Sequence, residues 1–224
     1  MRERAVTQDA RRPDRATVVK NFARDYQPPT ETIQHFESIP WTKSWMTDPK
    51  YTITPFWSRH EKPGNSEDFF FARTINTEST IPHTMVLCHR FGQPPEVGSG
   101  DIAIDESTPD LVVLLQLGEK GLDGHPSIIH GGVTCALLDE MQSEVILMYR
   151  RLIGGDALAD ALFTANLDVN YRAPVPTPGA CLVKCWLVSR DKRKWKTKAK
   201  MVDGDGKLLA EGAAIWVVKP REKI

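Results

Sequence analysis

The sequence predicts an α+β domain in which an antiparallel sheet wraps around one long helix, and three observations carry that expectation. Leu138, Met141, Val145, Met148 and Leu152 recur at spacings of three and four, which puts them in one apolar stripe on a helix running from Gly132 to about Leu152. Four strand-like segments follow that helix: 163–171, 181–190, 194–202 and 208–218, joined by Pro/Gly turns and by Asp203-Gly204-Asp205-Gly206. Ahead of it, the run Leu111-Val112-Val113-Leu114-Leu115 reads as a strand buried on both faces.

The elements take their places in chain order. Residues 1–35 are polar and charged with little periodicity, so they read as a tail with too little to bury. Residues 36–80 bring back Phe36, Ile39, Trp41, Trp45, Met46, Tyr51, Phe56 and Trp57, with Pro40, Pro49 and Pro55 as breakers, and read as an ordered extension of short helical pieces. Within it, Glu61 to Asp68 is expected to be an exposed polar loop. The main domain spans 81–220 and opens with strands at 84–90 and 111–117, separated by an exposed loop from Gln93 to Gly100. The central helix stops at Gly154-Gly155. One long helix followed by an antiparallel meander is the layout known as the hotdog.

Composition narrows the partners. At 224 residues one core with an extension is favoured over two domains. Twenty-nine basic and 29 acidic residues cancel, giving no overall attraction to nucleic acid or an anionic membrane. No apolar stretch approaches the roughly 20 residues of a membrane span, and no hydrophobic signal block opens the chain. The first 24 residues carry six arginines and one lysine, as a mitochondrial presequence would, but Glu3, Asp9 and Asp14 interrupt the pattern. Cys88, Cys135, Cys181 and Cys185 show no paired spacing, which points to a reducing intracellular, cytoplasmic setting. The six histidines form no metal-ligand pattern.

Two features carry chemistry. His130-Gly131-Gly132 stands where a loop becomes the long helix; glycines there let a ligand approach the backbone, and the free N–H groups of a first helical turn stabilise a developing oxyanion. Asp139 follows nine residues later, about 100° off the apolar stripe, where partial desolvation would suit a base or nucleophile. Glu140 and Glu144, one step further round, read as solvated helix acids. Lys194, Lys196, Lys198 and Lys200 share one face of a strand, either as contacts for the phosphates of a ligand or as a solvated outer face that discourages edge pairing. Trp41, Trp45 and Trp57 read as core seals or as walls of a ligand tunnel.

The segment Gly124-His125-Pro126-Ser127-Ile128-Ile129-His130-Gly131-Gly132-Val133, followed by Leu137-Leu138-Asp139-Glu140, resembles the PaaI-like branch of hotdog acyl-CoA thioesterases. Thr164-Ala165-Asn166-Leu167-Asp168-Val169-Asn170-Tyr171-Arg172-Ala173-Pro174 resembles the strand after the helix in the thioesterase superfamily member 4-like proteins, and the likeness spans about 80–218. The resemblance implies acyl-CoA as substrate with no separate cofactor, Asp139 as nucleophile or general base, and Gly131 or Gly132 as the carbonyl-polarising N–H. It implies supporting roles for His130 and Thr164, and a homodimer or dimer of dimers in which the acid crosses the interface. His125, Asn166, Arg172, Lys194 and Lys196 are then the candidate substrate contacts. One departure is Gly124, where some relatives carry asparagine. The alternatives are a hotdog hydratase or dehydratase pairing His125 with Asp139, and a non-catalytic acyl-CoA binding protein.

Overall fold

The computed structural model describes residues 15–62, 66–90, 100–154, 158 and 160–219. Three helices lead the chain: α1 (Arg15–Asp25), α2 (Thr30–Glu37) and α3 (Pro40–Thr47). Strands β1 (Tyr51–Thr54), β2 (His83–His89), β3 (Leu111–Leu117), β4 (Asp123–His125) and β5 (Ile128–Ile129) precede the long helix α4 (Gly131–Ile153). Four long strands follow: β6 (Ala161–Tyr171), β7 (Gly179–Asp191), β8 (Lys194–Val202) and β9 (Leu208–Lys219). Seven strands form one antiparallel sheet in the order β1-β2-β3-β7-β8-β9-β6, while β4 and β5 make a separate hairpin.

Helix α4 lies on one face of this sheet, and the hotdog layout expected from the order of elements is the one observed. Leu137, Leu138, Met141, Val145 and Ile146 are fully buried against Val113, Val183, Ala199, Met201 and Ala214 from four strands. Each such side chain contributes about 1.5–3 kcal/mol by leaving water. Gln142 joins them as a polar exception: its Oε1 accepts from Thr197 Oγ1 at 2.9 Å, and Thr197 in turn accepts from Trp216 Nε1 at 2.8 Å. Every polar group in that buried chain has a partner, so the helix is fixed in rotation as well as in depth.

The outer face of the sheet carries a second, smaller core. Phe36 of α2 and Tyr51 pack on Met85, Leu87, Val112, Leu114 and Leu182, with Trp41 and Trp45 of α3 at the margin. Alternate residues of β3 thereby serve two cores, which explains its unbroken apolar run.

Several expectations need correction. The 1–35 segment is not all tail, because α1 and the start of α2 lie in it and Val19 of α1 is buried against Trp57 and Leu158. Residues 51–54 are a sheet strand and not part of a helical extension. The four strands after α4 are not a simple meander, since β6 crosses to pair with β9 while β7 pairs with β3. In the 61–68 loop Lys62 is buried, its ammonium hydrogen-bonded to Asp68 and to the Trp57 carbonyl. The loop expected at 93–100 falls almost wholly outside the described residues. Leu152, expected in the buried stripe, is 50% exposed, because the last turns of the helix meet the core through Tyr149 and Ile153 instead.

Met141→Ala is expected to lower the unfolding free energy by about 2–5 kcal/mol, whereas Leu152→Ala should change it by only about 0.5 kcal/mol. Urea denaturation of both variants beside the wild type reads the contrast.

Candidate active site

The N-terminus of α4 is built by the β4–β5 hairpin. His130 N donates to the Leu122 carbonyl at 2.7 Å, which closes the chain on itself immediately before the helix. A β-carbon on Gly124 would come within 2.8 Å of the His130 α-carbon, so glycine stands there because the crossing is too close for any side chain. That accounts for the missing asparagine. His130 is the N-cap, its Nδ1 accepting from Gly132 N at 2.9 Å, so its ring proton sits on Nε2. The expectation that either glycine could polarise a carbonyl is thereby narrowed: the Gly132 N–H is already engaged, and the first-turn donor left for a ligand is Gly131. Tyr171, at the end of β6, donates through Oη to the Gly131 carbonyl at 2.9 Å and ties the strand to this turn.

Asp139 and Thr164 meet further along. Thr164 Oγ1 donates to both carboxylate oxygens of Asp139, at 3.0 and 3.3 Å. Burial raises the Asp139 pKa above the ordinary carboxylate value and the Thr164 hydrogen bond opposes that rise, which makes the carboxylate a better base than a solvated aspartate. A register shift between Thr164 and Asn166 shapes this end of β6: Thr164 pairs with Trp216, but Asn166 pairs with Ile215. Plain alternation would put Asn166 on the Thr164 side; the bulge sends it to the other face, away from Asp139.

Beyond Asp139 a cleft of about 420 Å³ runs along α4 past Glu140, Ser143 and Glu144, and is closed by Trp57, Ser58 and Asp68 of the extension and by Phe163 and Trp216. Glu140 and Glu144 are therefore not the solvated acids that helix geometry suggested. Glu144 is only 2% exposed. Glu140 accepts a hydrogen bond from Ser58. Burial pushes the two carboxyls up to about 8 and about 7, respectively. Helical periodicity placed both acids off the apolar stripe and could not show that Trp57, Ser58 and Asp68 fold back over them; the clustered aromatics around Trp57 were the available signal.

The remaining candidates lie apart from Asp139. His125 is exposed on β4. Arg172 pairs with Glu211 at 2.5 Å, next to Tyr171 and so at the Gly131 end of the site. Trp195 faces α4, so the alternation of β8 turns Lys194 and Lys196 to the outer face, where Lys196 meets Asp101 at 3.5 Å and Lys200 meets Glu106 at 2.7 Å. The solvated outer face, weighed above against a phosphate role, is where this chain places them. Trp45 is likewise outer-face, beneath Lys184.

Glu144, buried, and Glu140, half-buried beneath Ser58, have raised pKa values and hold protons that the unfolded chain releases. Stability is therefore expected to fall as pH rises from about 5 to about 8, through the folded-state values, and Glu140→Gln should flatten that slope. Urea midpoints across this range for both proteins measure it.

Comparison with known proteins agrees with the geometry. Residues 127–210 match the family model described as Thioesterase superfamily. The chain is 26% identical over 178 residues to verlamelin biosynthesis protein B of a Lecanicillium species, covering 69% of this chain and 75% of that one. It is 22% identical over 211 residues to acyl-coenzyme A thioesterase THEM4 of Bos taurus, covering 87% and 83% respectively. Among solved structures, zebra fish thioesterase superfamily member 2 aligns with TM-score 0.47 and 14% identity, over 73% of this chain and 92% of that one. The chain thus has the hotdog fold, and its site-bearing segment, residues 127–210, is similar throughout to the thioesterase superfamily.

Proposed function

We propose that the protein hydrolyses an acyl-CoA thioester to the free acid and coenzyme A. The observation that carries this reading is the half-buried Asp139 carboxylate held by Thr164 at the mouth of a cleft. A carboxylate so placed takes a proton from water as the water oxygen adds to the thioester carbon, or adds to that carbon itself. The carbonyl oxygen gains charge and is stabilised by the Gly131 N–H at the positive end of α4. Collapse of the tetrahedral species breaks the carbon–sulfur bond and releases the thiolate. His130 supports the turn through its bond to Gly132, and Arg172, the chain neighbour of Tyr171, is the cation assigned to a phosphate of the departing coenzyme.

One chain does not complete such a site. Gly131 and Asp139 are eight residues apart on a single helix, so their backbones are about 12 Å apart, whereas both must reach one carbonyl group within about 3 Å. A second copy that brings its own α4 N-terminus to this Asp139 resolves the mismatch, and a homodimer is the smallest assembly that does so. The edge strand β6 supports the same reading. It pairs only with β9, is 11 residues long, and presents Phe163 and Tyr171 at 54% and 56% exposure. Natural edge strands of that length are seldom left open.

Thiol release from a panel of acyl-CoAs is expected to fall by roughly 100- to 10,000-fold in Asp139→Asn. Gly131 is the first residue of α4 and His130 has extended ψ 136°, so Gly131→Pro deletes the N–H without breaking the helix. Its activity should drop about 100- to 1,000-fold. Mixing the two inactive variants through an unfolding and refolding step should restore thiol release, because each mixed dimer holds one intact site. A mixture as inactive as its parents would rule out a shared site.

Thr164→Val removes the hydrogen bond that lowers the Asp139 pKa. The acid limb of the pH–rate profile is then expected to move to higher pH, and an unmoved limb would separate Thr164 from the acid.

A further inference from the structure

The Gly131 N–H, the donor proposed for the thioester oxygen, stands in the least restrained stretch of the helix entry. Gly131 and Gly132 are adjacent, and neither has a β-carbon to limit rotation of the peptide plane between them. Such a plane turns at little cost unless side chains hold it, and here two do. Its N–H, that of Gly132, donates to His130 Nδ1 at 2.9 Å, and its carbonyl, that of Gly131, accepts from Tyr171 Oη at 2.9 Å. The preceding plane carries the Gly131 N–H and is fixed through its own carbonyl, since His130 O accepts from Val133 N at 2.9 Å and from Thr134 N at 3.2 Å.

These holds differ in reach. His130, the two glycines, Val133 and Thr134 lie within five consecutive residues and move as one local unit. Tyr171 comes from the end of β6, 40 residues further along the chain, so its bond refers the turn to the sheet. Its ring also packs over the glycine: a β-carbon on Gly131 would lie 3.5 Å from Cε1 and Cζ, an ordinary contact. The same strand holds the acid, because Thr164 of β6 donates to Asp139. One strand thereby sets both groups that must meet a substrate.

On the thioesterase reading above, we propose that Tyr171 is a positioning residue for the oxyanion donor: its hydroxyl fixes the Gly131–Gly132 peptide so that the Gly131 N–H is already aimed where charge develops. The bond is open to water, with Tyr171 56% exposed, so its loss costs the fold little. What is lost is alignment. A donor stabilises the transition state in proportion to how well it is held there beforehand, and a small misplacement costs rate without costing binding.

The test is Tyr171→Phe, which deletes the hydroxyl and keeps the ring over Gly131 and in any contact with a second copy. Thiol release from the acyl-CoA panel should show kcat lowered about tenfold and KM changed by less than about twofold. In the Gly131→Pro background, where the donor is already gone, Tyr171→Phe should cost nothing further, because both substitutions remove one function. Amide hydrogen exchange over residues 128–137, followed by mass spectrometry, should be faster in Tyr171→Phe than in the wild type. A kcat within about twofold of wild type, or a tenfold loss that recurs in full on top of Gly131→Pro, would overturn the inference and leave the thioesterase reading intact. If the wild type releases no thiol from any acyl-CoA, that reading falls and the positioning role with it.

Discussion

Everything else in this molecule is positioned by the burial of α4 against one face of the sheet. Leu137, Leu138, Met141, Val145 and Ile146 are fully enclosed, and Gln142 locks the helix through Thr197 and Trp216. With that face fixed, Asp139 has no freedom to sit elsewhere: it emerges where the helix leaves the sheet and meets Thr164 of the last strand. The same contact sets the height of the helix N-terminus, where β4–β5 and Tyr171 hold the His130–Gly131 turn. Scaffold and chemistry therefore share one constraint, and a loss of core packing would displace both ends of the site together.

The extension works on both sides of the sheet. On the outer face, α2 and α3 bury Phe36 against Val112 and Leu114, so β3 is enclosed twice. On the helix side, Trp57, Ser58 and Asp68 cover Glu140 and Glu144 and convert an otherwise wet helix face into the wall of a cleft. The raised pKa values of those acids follow from that cover, since burial is the largest influence on each.

The edge strand β6 is where the dimer proposed above would join its second copy. A register shift after Thr164 keeps that hydroxyl on Asp139 while turning Asn166 outward, and the strand leaves Phe163 and Tyr171 in solvent. A helix of fixed rise cannot bring its own first turn to its ninth residue. On the proposed dimer, the open edge and the divided site are two expressions of one geometry.

The sequence by itself determined the central helix, because a three-and-four apolar spacing over 20 residues has no other compact solution, and it determined the long strands β3, β7, β8 and β9 within a few residues. His130-Gly131-Gly132 and Asp139 were legible too, since glycines at a helix entry and an acid beside an apolar stripe are local signals. The tertiary structure alone decided which strand neighbours which, for β6 joins β9 and not β7. It also decided that His130 takes the Gly132 N–H, that Lys194 and Lys196 face outward, that Glu144 is buried and that Ser58 covers Glu140. Those outcomes depend on residues far apart in the chain, such as Ser58 and Glu140, 82 positions from each other. Periodicity reports which side of an element is apolar; what comes to cover the other side is settled by packing between distant segments.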